Sequence, residues 1–195
     1  MKITSKKLAK YSLDAYSKST ISAGGTEMLI KNVGGFSIWA LRGTEFDFGD
    51  ILDDIRVMPW WSKETGGFVH KGFLSGVRAI WPHLPLAGFH DKPVILTGHS
   101  KGGAEAILLG AMLTTLDMPP SRIETFGAPR VGFSGLGEII KDIPGERHRL
   151  GIDIVPTVPH SFPLPYRHDR DLTDHDPEQS HIFKNHRIAD YIAAL

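Results

Sequence analysis

Residues 94–110 of the chain read V-I-L-T-G-H-S-K-G-G-A-E-A-I-L-L-G, and this stretch decides the fold. Its first part belongs to a short apolar run from Pro93 to Thr97, which is typical of a strand buried inside a sheet. From Gly102 to Leu116 apolar residues recur at the spacing of a helix face, and Pro119–Pro120 ends the pattern. The sequence therefore predicts a buried strand, a sharp glycine-rich turn and a long helix, in that order.

The turn between this strand and helix has the pattern G-x-S-x-G over residues 98–102, with Ser100 in the middle. A preceding strand and a following helix are the context in which this pattern marks a nucleophilic serine. The two glycines let strand and helix pass closely, and N–H groups at the helix N-terminus supply positive charge that stabilises an oxyanion. The alternative is a glycine-rich turn whose serine only caps the helix. The strand, the helix and the additional Gly103 favour the nucleophile.

The rest of the chain alternates predicted strands and helices around this unit. Strands are predicted at residues 27–31, 36–41, 122–126 and 147–154, and helices at 4–19, 71–82, 135–143 and 186–195. Residues 160–180 are rich in Pro, Asp and His and are predicted to form a long loop. The alternation indicates an α/β fold, with a mostly parallel central sheet and helices on both faces. Such sheets bind ligands beyond the carboxyl ends of their strands, where Thr44, Ser100, Gly127 and Asp153 fall.

Composition narrows the class of protein. The 195 residues fit a single domain spanning 1–195, and 41% apolar with 23% charged residues is ordinary for a soluble globular chain. A formal net charge of zero argues against a nucleic-acid binder. The absence of cysteine excludes disulfides, thiolate metal sites and a cysteine nucleophile. Met1 to Tyr16 lacks the features of a secretory signal, and no apolar run reaches the ~18 residues of a transmembrane segment. We therefore expect a cytoplasmic protein, with release by lysis as an alternative route to the outside.

Five ordered segments carry a resemblance to a known family. They are R-G-T at 42–44, V-H-K-G-F at 69–73, T-G-H-S-K-G-G at 97–103, T-F-G-A-P-R-V-G at 125–132, and D-I-V-P at 153–156 followed by Pro159. Together they resemble the class 3 lipase family, the group that includes fungal triacylglycerol lipases. The resemblance covers residues 42–159, and it implies an α/β-hydrolase fold.

The resemblance implies a Ser-Asp-His triad in that chain order. Ser100 matches the nucleophile of the elbow, and Asp153 matches the acid loop. The family often has its histidine just before a short apolar segment with a tyrosine, and residues 185–191 look most like that pattern, which favours His186. His181 remains the competing candidate. Geometry rather than sequence position defines a triad member, so the choice stays open at this point.

The resemblance also implies an oxyanion hole formed by Thr44 and the backbone N–H of Lys101. Lys101 stands where the family usually has leucine, so an ammonium group could lie beside the substrate pocket. A more specific interpretation of this lysine is that Ser100 and Lys101 form a catalytic Ser-Lys dyad. It is disfavoured because adjacent residues at a helix start do not face each other. No cofactor and no metal ion are implied.

Three other clusters allow more than one interpretation. Asp50, Asp53 and Asp54 could bind a cation, although a helix cap or an anchor for a lid-like segment fits one short helical stretch better. Aromatic residues between 45 and 67 could form an acyl-facing or membrane-facing patch, or could simply pack in the core; they are Phe46, Phe48, Trp60 and Trp61.

The third cluster is the polar tail, whose histidines and aspartates are His160, His168, His175, His181, His186, Asp169, Asp171, Asp174 and Asp176. A metal site is weakly supported, since no histidine pair has a typical ligand spacing. A solvated loop that delivers the catalytic histidine is the better interpretation.

The function predicted from these features is hydrolysis of carboxylic esters of lipids, by a lipase or esterase that forms an acyl-enzyme. The expected partners are an ester or lipid substrate and, transiently, a lipid surface. One alternative is a small soluble esterase or phospholipase of the same fold. The other is an inactive hydrolase fold used as a binding module, because fold alone does not prove activity.

Overall fold

A seven-stranded sheet organises the part of the chain that this computed structural model describes, residues 3–44, 59–176 and 186–195. Its strands in chain order are β1 (Ile21–Ala23), β2 (Thr26–Val33), β3 (Phe36–Leu41), β6 (Val94–His99), β7 (Arg122–Phe126), β8 (Arg147–Leu150) and β9 (Leu172–His175). The spatial order is β1-β2-β3-β6-β7-β8-β9. The first three strands are antiparallel, and every pair from β3 to β9 is parallel. A separate antiparallel hairpin consists of β4 (Pro59–Ser62) and β5 (Gly67–His70).

Helices cover both faces of the sheet. They are α1 (Ser5–Asp14), α2 (Lys71–Ile80), α3 (Lys101–Thr114), α4 (Ser134–Ile140) and α5 (Ile188–Ala194). Helices α1 and α5 pack together on one face, and α2, α3 and α4 pack on the other. None of the described helices is long and apolar enough to cross a membrane.

The core is accordingly divided into two clusters by the sheet. Successive residues of a strand point to opposite faces, and the neighbours Trp39 and Ala40 of β3 belong to different clusters. Trp39 packs with Leu96 and Ile107 under α2 and α3, while Ala40 packs with the α1 and α5 side. All six residues of β6 are buried, which is why the strand begins with three consecutive apolar residues, Val94–Leu96, instead of alternating apolar and polar ones.

The described strands and helices agree with the predicted α/β class, but several boundaries differ. Residues 160–180 were expected to form a loop, and the structure has β9 within them. Among the described strands this one is at the edge of the sheet and pairs with β8 alone. Three of its four residues are polar, so it lacks the apolar pattern that marks a buried strand. The predicted strand 147–154 ends at Leu150, because Gly151 turns the chain with a φ of 50°. The β4–β5 hairpin was not predicted.

Candidate active site

Ser100 lies at the junction of β6 and α3 in a strained conformation. Its φ of 54° and ψ of −126° are outside the regions that residues with a side chain normally adopt. Its N–H donates to Phe126 O of β7 at 2.9 Å, which helps to hold the turn. Strain of this kind persists only where the surroundings impose it, and it is concentrated at functional sites.

Two glycines make this turn sterically possible. A Cβ atom on Gly98 would overlap the backbone of Gly102, and a Cβ on Gly102 would overlap the backbone of Leu41 and Arg42. The strand-to-helix approach predicted from the sequence is therefore present. Ser100 thus lies directly after the carboxyl end of β6 and directly before the first residue of α3.

The structure brings Ser100, Asp153 and His186 together. His186 Nε2 lies 2.9 Å from Ser100 Oγ, and His186 Nδ1 lies 2.9 Å from Asp153 Oδ2. All three residues are buried. This is the hydrogen-bonding order of a nucleophile, a base and an orienting carboxylate. His181, the competing candidate, lies outside the described residues.

Asp153 is held by groups on both sides. It follows β8, and its Oδ1 accepts a hydrogen bond from Val155 N at 3.0 Å. Tyr191 of α5 donates its hydroxyl to Asp153 Oδ2 at 2.7 Å and accepts from Leu150 N at 3.1 Å. Burial, and then the Asp153 carboxylate, raise the pKa of Tyr191 well above its usual value. The hydroxyl thus remains a donor to the carboxylate. The sequence indicated Tyr191 only as part of a segment pattern and gave no sign of this contact.

Gly127 allows the loop after β7 to approach this carboxylate. Its φ is 60°, and a Cβ there would lie 2.9 Å from Asp153 Oδ2 and 3.1 Å from the imidazole of His186. Because a side chain at this position would crowd both residues, glycine keeps the Asp153–His186 contact open. Gly127 was predicted to lie at this edge of the sheet, and it does.

The predicted oxyanion donors, Thr44 and the backbone N–H of Lys101, belong to two different segments of the chain. Lys101 is the first residue of α3, where backbone N–H groups have no acceptor within the helix. Thr44 follows β3 and is partly buried. The residue before it, Gly43, lies so close to the elbow that a Cβ there would come within 2.8 Å of His99 O. Both donors thus belong to segments that adjoin the nucleophile.

The side chain of Lys101 is engaged elsewhere. Its Nζ donates to Gly25 O in the β1–β2 turn at 2.6 Å and lies 3.5 Å from Glu105 Oε1. These partners hold the ammonium group in a position that does not support a Ser-Lys dyad. Glu105 itself is fully buried and accepts from Thr26 Oγ1 at 2.6 Å. Burial raises the pKa of Glu105 to about 7, against the opposing effect of Lys101.

Ion pairs join described residues of the polar tail to β8. Arg147 pairs with the buried Asp169 at 2.6 Å, and Arg149 pairs with Asp174 at 2.6 Å. His175 Nε2 lies 2.8 Å from His148 Nδ1, which joins β9 to β8. Among the residues that the structure describes, no group of three or more His, Asp or Glu side chains is arranged to hold a metal ion. Asp50, Asp53 and Asp54 lie outside the described residues.

Of the aromatic residues predicted to form a patch or to pack in the core, the structure describes Trp60 and Trp61. Trp60 and Trp61 lie in β4 and are 47% and 56% exposed, so they are surface residues and not core residues. Phe68, which pairs with Trp61 across the hairpin, is 44% exposed and contacts Phe133. Phe46 and Phe48 lie outside the described residues.

The fold of this chain is similar to that of solved structures. The structure of a Rhizomucor miehei triacylglyceride lipase superposes with a TM-score of 0.73 and 20% sequence identity, covering 88% of this chain and 78% of that one. The chain therefore has the α/β-hydrolase fold, as predicted from the sequence.

Comparison of the sequence identifies the family. Toxin TseL of Vibrio cholerae is 36% identical over 112 residues, and a lipase of Rhizopus niveus is 33% identical over 130 residues. These matches cover 55% and 60% of this chain but only 17% and 33% of the two relatives, so the chain spans a third or less of their length. The family model "Lipase (class 3)" matches residues 38–162, which include the elbow and the acid loop. The chain belongs to the class 3 lipase family.

Proposed function

We propose that this chain hydrolyses carboxylic esters of lipids, with Ser100 as the nucleophile, His186 as the base and Asp153 as the orienting carboxylate. The observation that carries the proposal is the continuous hydrogen-bonded chain from Ser100 Oγ through the His186 imidazole to Asp153. The strained backbone of Ser100 at the elbow, and membership of a lipase family, support it independently.

The reaction proceeds in two acyl-transfer steps. In the first, Ser100 Oγ attacks the ester carbonyl carbon while His186 Nε2 takes the hydroxyl proton, and Asp153 stabilises the resulting imidazolium. The backbone N–H of Lys101 and the Thr44 donors hold the tetrahedral oxyanion. The C–O bond to the alcohol then breaks, His186 returns the proton to the leaving alcohol, and the acyl group remains on Ser100.

The second step releases the acid. Water attacks the acyl carbon while His186 Nε2 takes one of its protons. When the tetrahedral intermediate collapses, the proton passes from His186 to Ser100 Oγ. The carboxylic acid leaves, and the starting protonation state of the triad is restored.

A lipid surface is the proposed partner during catalysis. Exposed aromatic side chains cluster on the β4–β5 hairpin, and isolated bridges link Val69 of this hairpin to Gly132 and Gly132 to Arg167. Phe162, in the segment that leads from the acid loop to Arg167, is 86% exposed. Large exposed apolar patches are uncommon on soluble proteins and are typical of interaction sites, including membrane-binding sites. Lys71 lies over the Trp60 ring at 5.0 Å and adds a cation to this surface.

Hydrolysis of p-nitrophenyl esters from acetate to palmitate, by wild type and Ser100→Ala, tests the proposal. We expect ester hydrolysis by wild type and a loss of at least about 10³-fold in kcat for the variant, because removal of the nucleophile leaves only binding and the oxyanion hole. The preferred chain length distinguishes a lipase from a small-ester esterase. A folded wild type that is inactive with every ester would contradict the proposal and favour a binding module.

A further inference from the structure

His99, the second residue of the elbow pattern, has a fixed tautomer. Its Nε2 lies 2.6 Å from His186 O, and a carbonyl oxygen only accepts hydrogen bonds, so Nε2 carries the proton. Its Nδ1 lies 2.9 Å from Tyr16 OH and is therefore the acceptor of the tyrosine proton. His99 thus links the segment after α1 to the backbone of the proposed catalytic base.

The surroundings of His99 keep it uncharged. The side chain is buried, and its ring centroid lies 4.8 Å from that of His186 and 6.2 Å from that of Tyr191. Burial, and then the neighbouring His186, lower the pKa of His99 to about 3. Neutral His99 therefore remains an Nε2–H donor when His186 gains a proton during catalysis, which limits repulsion between the adjacent rings.

The hydrogen bond from His99 is important because it is made to the backbone carbonyl of His186, the proposed catalytic base. His186 precedes α5, which begins at Ile188, so its carbonyl lies outside the hydrogen-bonding ladder of the helix. A hydrogen bond to the backbone of His186 restrains the Cα from which the imidazole projects toward Ser100. The Tyr16 hydroxyl, which bonds to the other nitrogen of His99, is closely packed, because a Cβ on Gly43 would overlap Tyr16 OH.

We propose that His99 is a positioning residue for ester hydrolysis, whose Nε2–H holds the backbone of His186 so that the imidazole stays within reach of Ser100. Tyr16 keeps His99 in the required tautomer. This inference rests on the proposed function. The required precision is high, since misplacement of a reacting group by about 1 Å can reduce the rate by ~10²-fold.

Two substitutions of His99 separate the hydrogen bond from the ring. Glutamine can place an amide N–H near the position of histidine Nε2, whereas the shorter asparagine reaches only the position of Nδ1. We expect His99→Gln to keep kcat within about threefold of wild type, and His99→Asn to lose ~10–100-fold in kcat with KM changed by less than about threefold. Thermal unfolding of both variants establishes that they are folded.

Outcomes that overturn the inference are specific. His99→Asn with the kcat of wild type would mean that the Nε2–H donor is dispensable. Equal losses of kcat in the two folded variants would mean that the imidazole ring, and not its donor, matters. His99→Gln tests the inference even if His99→Asn does not fold. A folded His99→Gln variant with kcat reduced more than about 30-fold would contradict the role assigned to the Nε2–H donor.

NMR of the histidine ring nitrogens distinguishes failure of this inference from failure of the proposed function. We expect the Nδ1–H signal of His186, shared with Asp153, to persist in wild type and His99→Gln and to be lost in His99→Asn. This readout does not require turnover. If wild type hydrolyses no ester, the proposed function fails, while the NMR pattern still supports or overturns the positioning of His186 by His99.

Discussion

At the scale of single residues, the hydroxyl of Tyr191 determines how Asp153 is held. Tyr191→Phe removes the hydrogen bond to Asp153 Oδ2 and leaves Leu150 N without that acceptor. We expect a loss of about 1–3 kcal/mol in the free energy of unfolding, because buried polar groups lose a partner. We also expect kcat to fall by ~10-fold as the carboxylate loses its orientation. Urea unfolding and ester kinetics measure the two effects.

Tyr166→Phe is the matched control for this change. The Tyr166 hydroxyl is also buried, but it has no hydrogen-bond partner among the described residues. Its removal is therefore expected to leave stability unchanged or to raise it, with kcat unaltered. Equal effects of the two tyrosine substitutions would show that the Tyr191 hydroxyl has no special role.

Glu105 gives a second prediction at this scale, which concerns pH. Its pKa of about 7 in the folded protein lies above the ordinary value of 4.5. The folded state thus binds the proton more tightly, and this contribution to stability is full below about pH 4.5 and lost as the pH rises through about 7. We expect the free energy of unfolding of Glu105→Gln relative to wild type to increase across this window, by on the order of 3 kcal/mol. Urea unfolding at several pH values measures it, and a difference independent of pH would contradict the prediction.

At the scale of elements, the crossing of β6 and α3 depends on glycine at the elbow. Gly98→Ala would push a methyl group into the backbone of Gly102, which cannot move without displacing the helix start. We expect destabilisation of more than about 3 kcal/mol, or failure to fold, measured by thermal unfolding. Gly67→Ala in β5 is the control, since its Cβ would meet only Gly135 Cα at an ordinary 3.9 Å. Similar stability of the two variants would contradict the steric account.

The β4–β5 hairpin is the element that we expect to contact lipid. Trp61→Ser removes a large exposed aromatic side chain, and we expect weaker binding to phospholipid vesicles and slower hydrolysis of emulsified long-chain esters. Hydrolysis of soluble short-chain esters should change by less than about twofold, because the triad is untouched. Leu13→Ser is the control, since Leu13 is 43% exposed in α1 on the opposite face of the sheet. If both variants bind vesicles like wild type, the hairpin is not the lipid-binding element.

The sequence predicts an element when the apolar pattern of that element is contained in its own residues. Strand β6 and helix α3 are buried and long, so their apolar patterns were sufficient to predict them. Strand β9 is a polar edge strand, and its pairing with β8 includes a histidine pair and an ion pair that no local pattern encodes. The surface hairpin was not predicted, because neither of its strands shows the alternation of buried and exposed residues that marks a half-buried strand.

At the scale of the whole molecule, the site is assembled from distant parts of the chain. Ser100 and His186 are 86 positions apart, and His186 and Asp153 are 33 apart. The motif identified Ser100 locally, whereas Asp153 and His186 required the family resemblance. His99 and Tyr191 act through contacts between the two termini and the sheet, and these contacts appear only when α1 and α5 pack on the same face. Sequence patterns therefore indicated the residues of the candidate triad but not His99 and Tyr191, which contact two of them.

The most direct test of the central claim is mass spectrometry of the protein after reaction with a fluorophosphonate. Such a probe reacts with a serine that an adjacent base activates. We predict one adduct, located on Ser100 by peptide mapping, with labelling strongly slowed in His186→Ala. A folded wild type that remains unlabelled, or that is labelled at another residue, would contradict the assignment of Ser100, His186 and Asp153 as a catalytic triad.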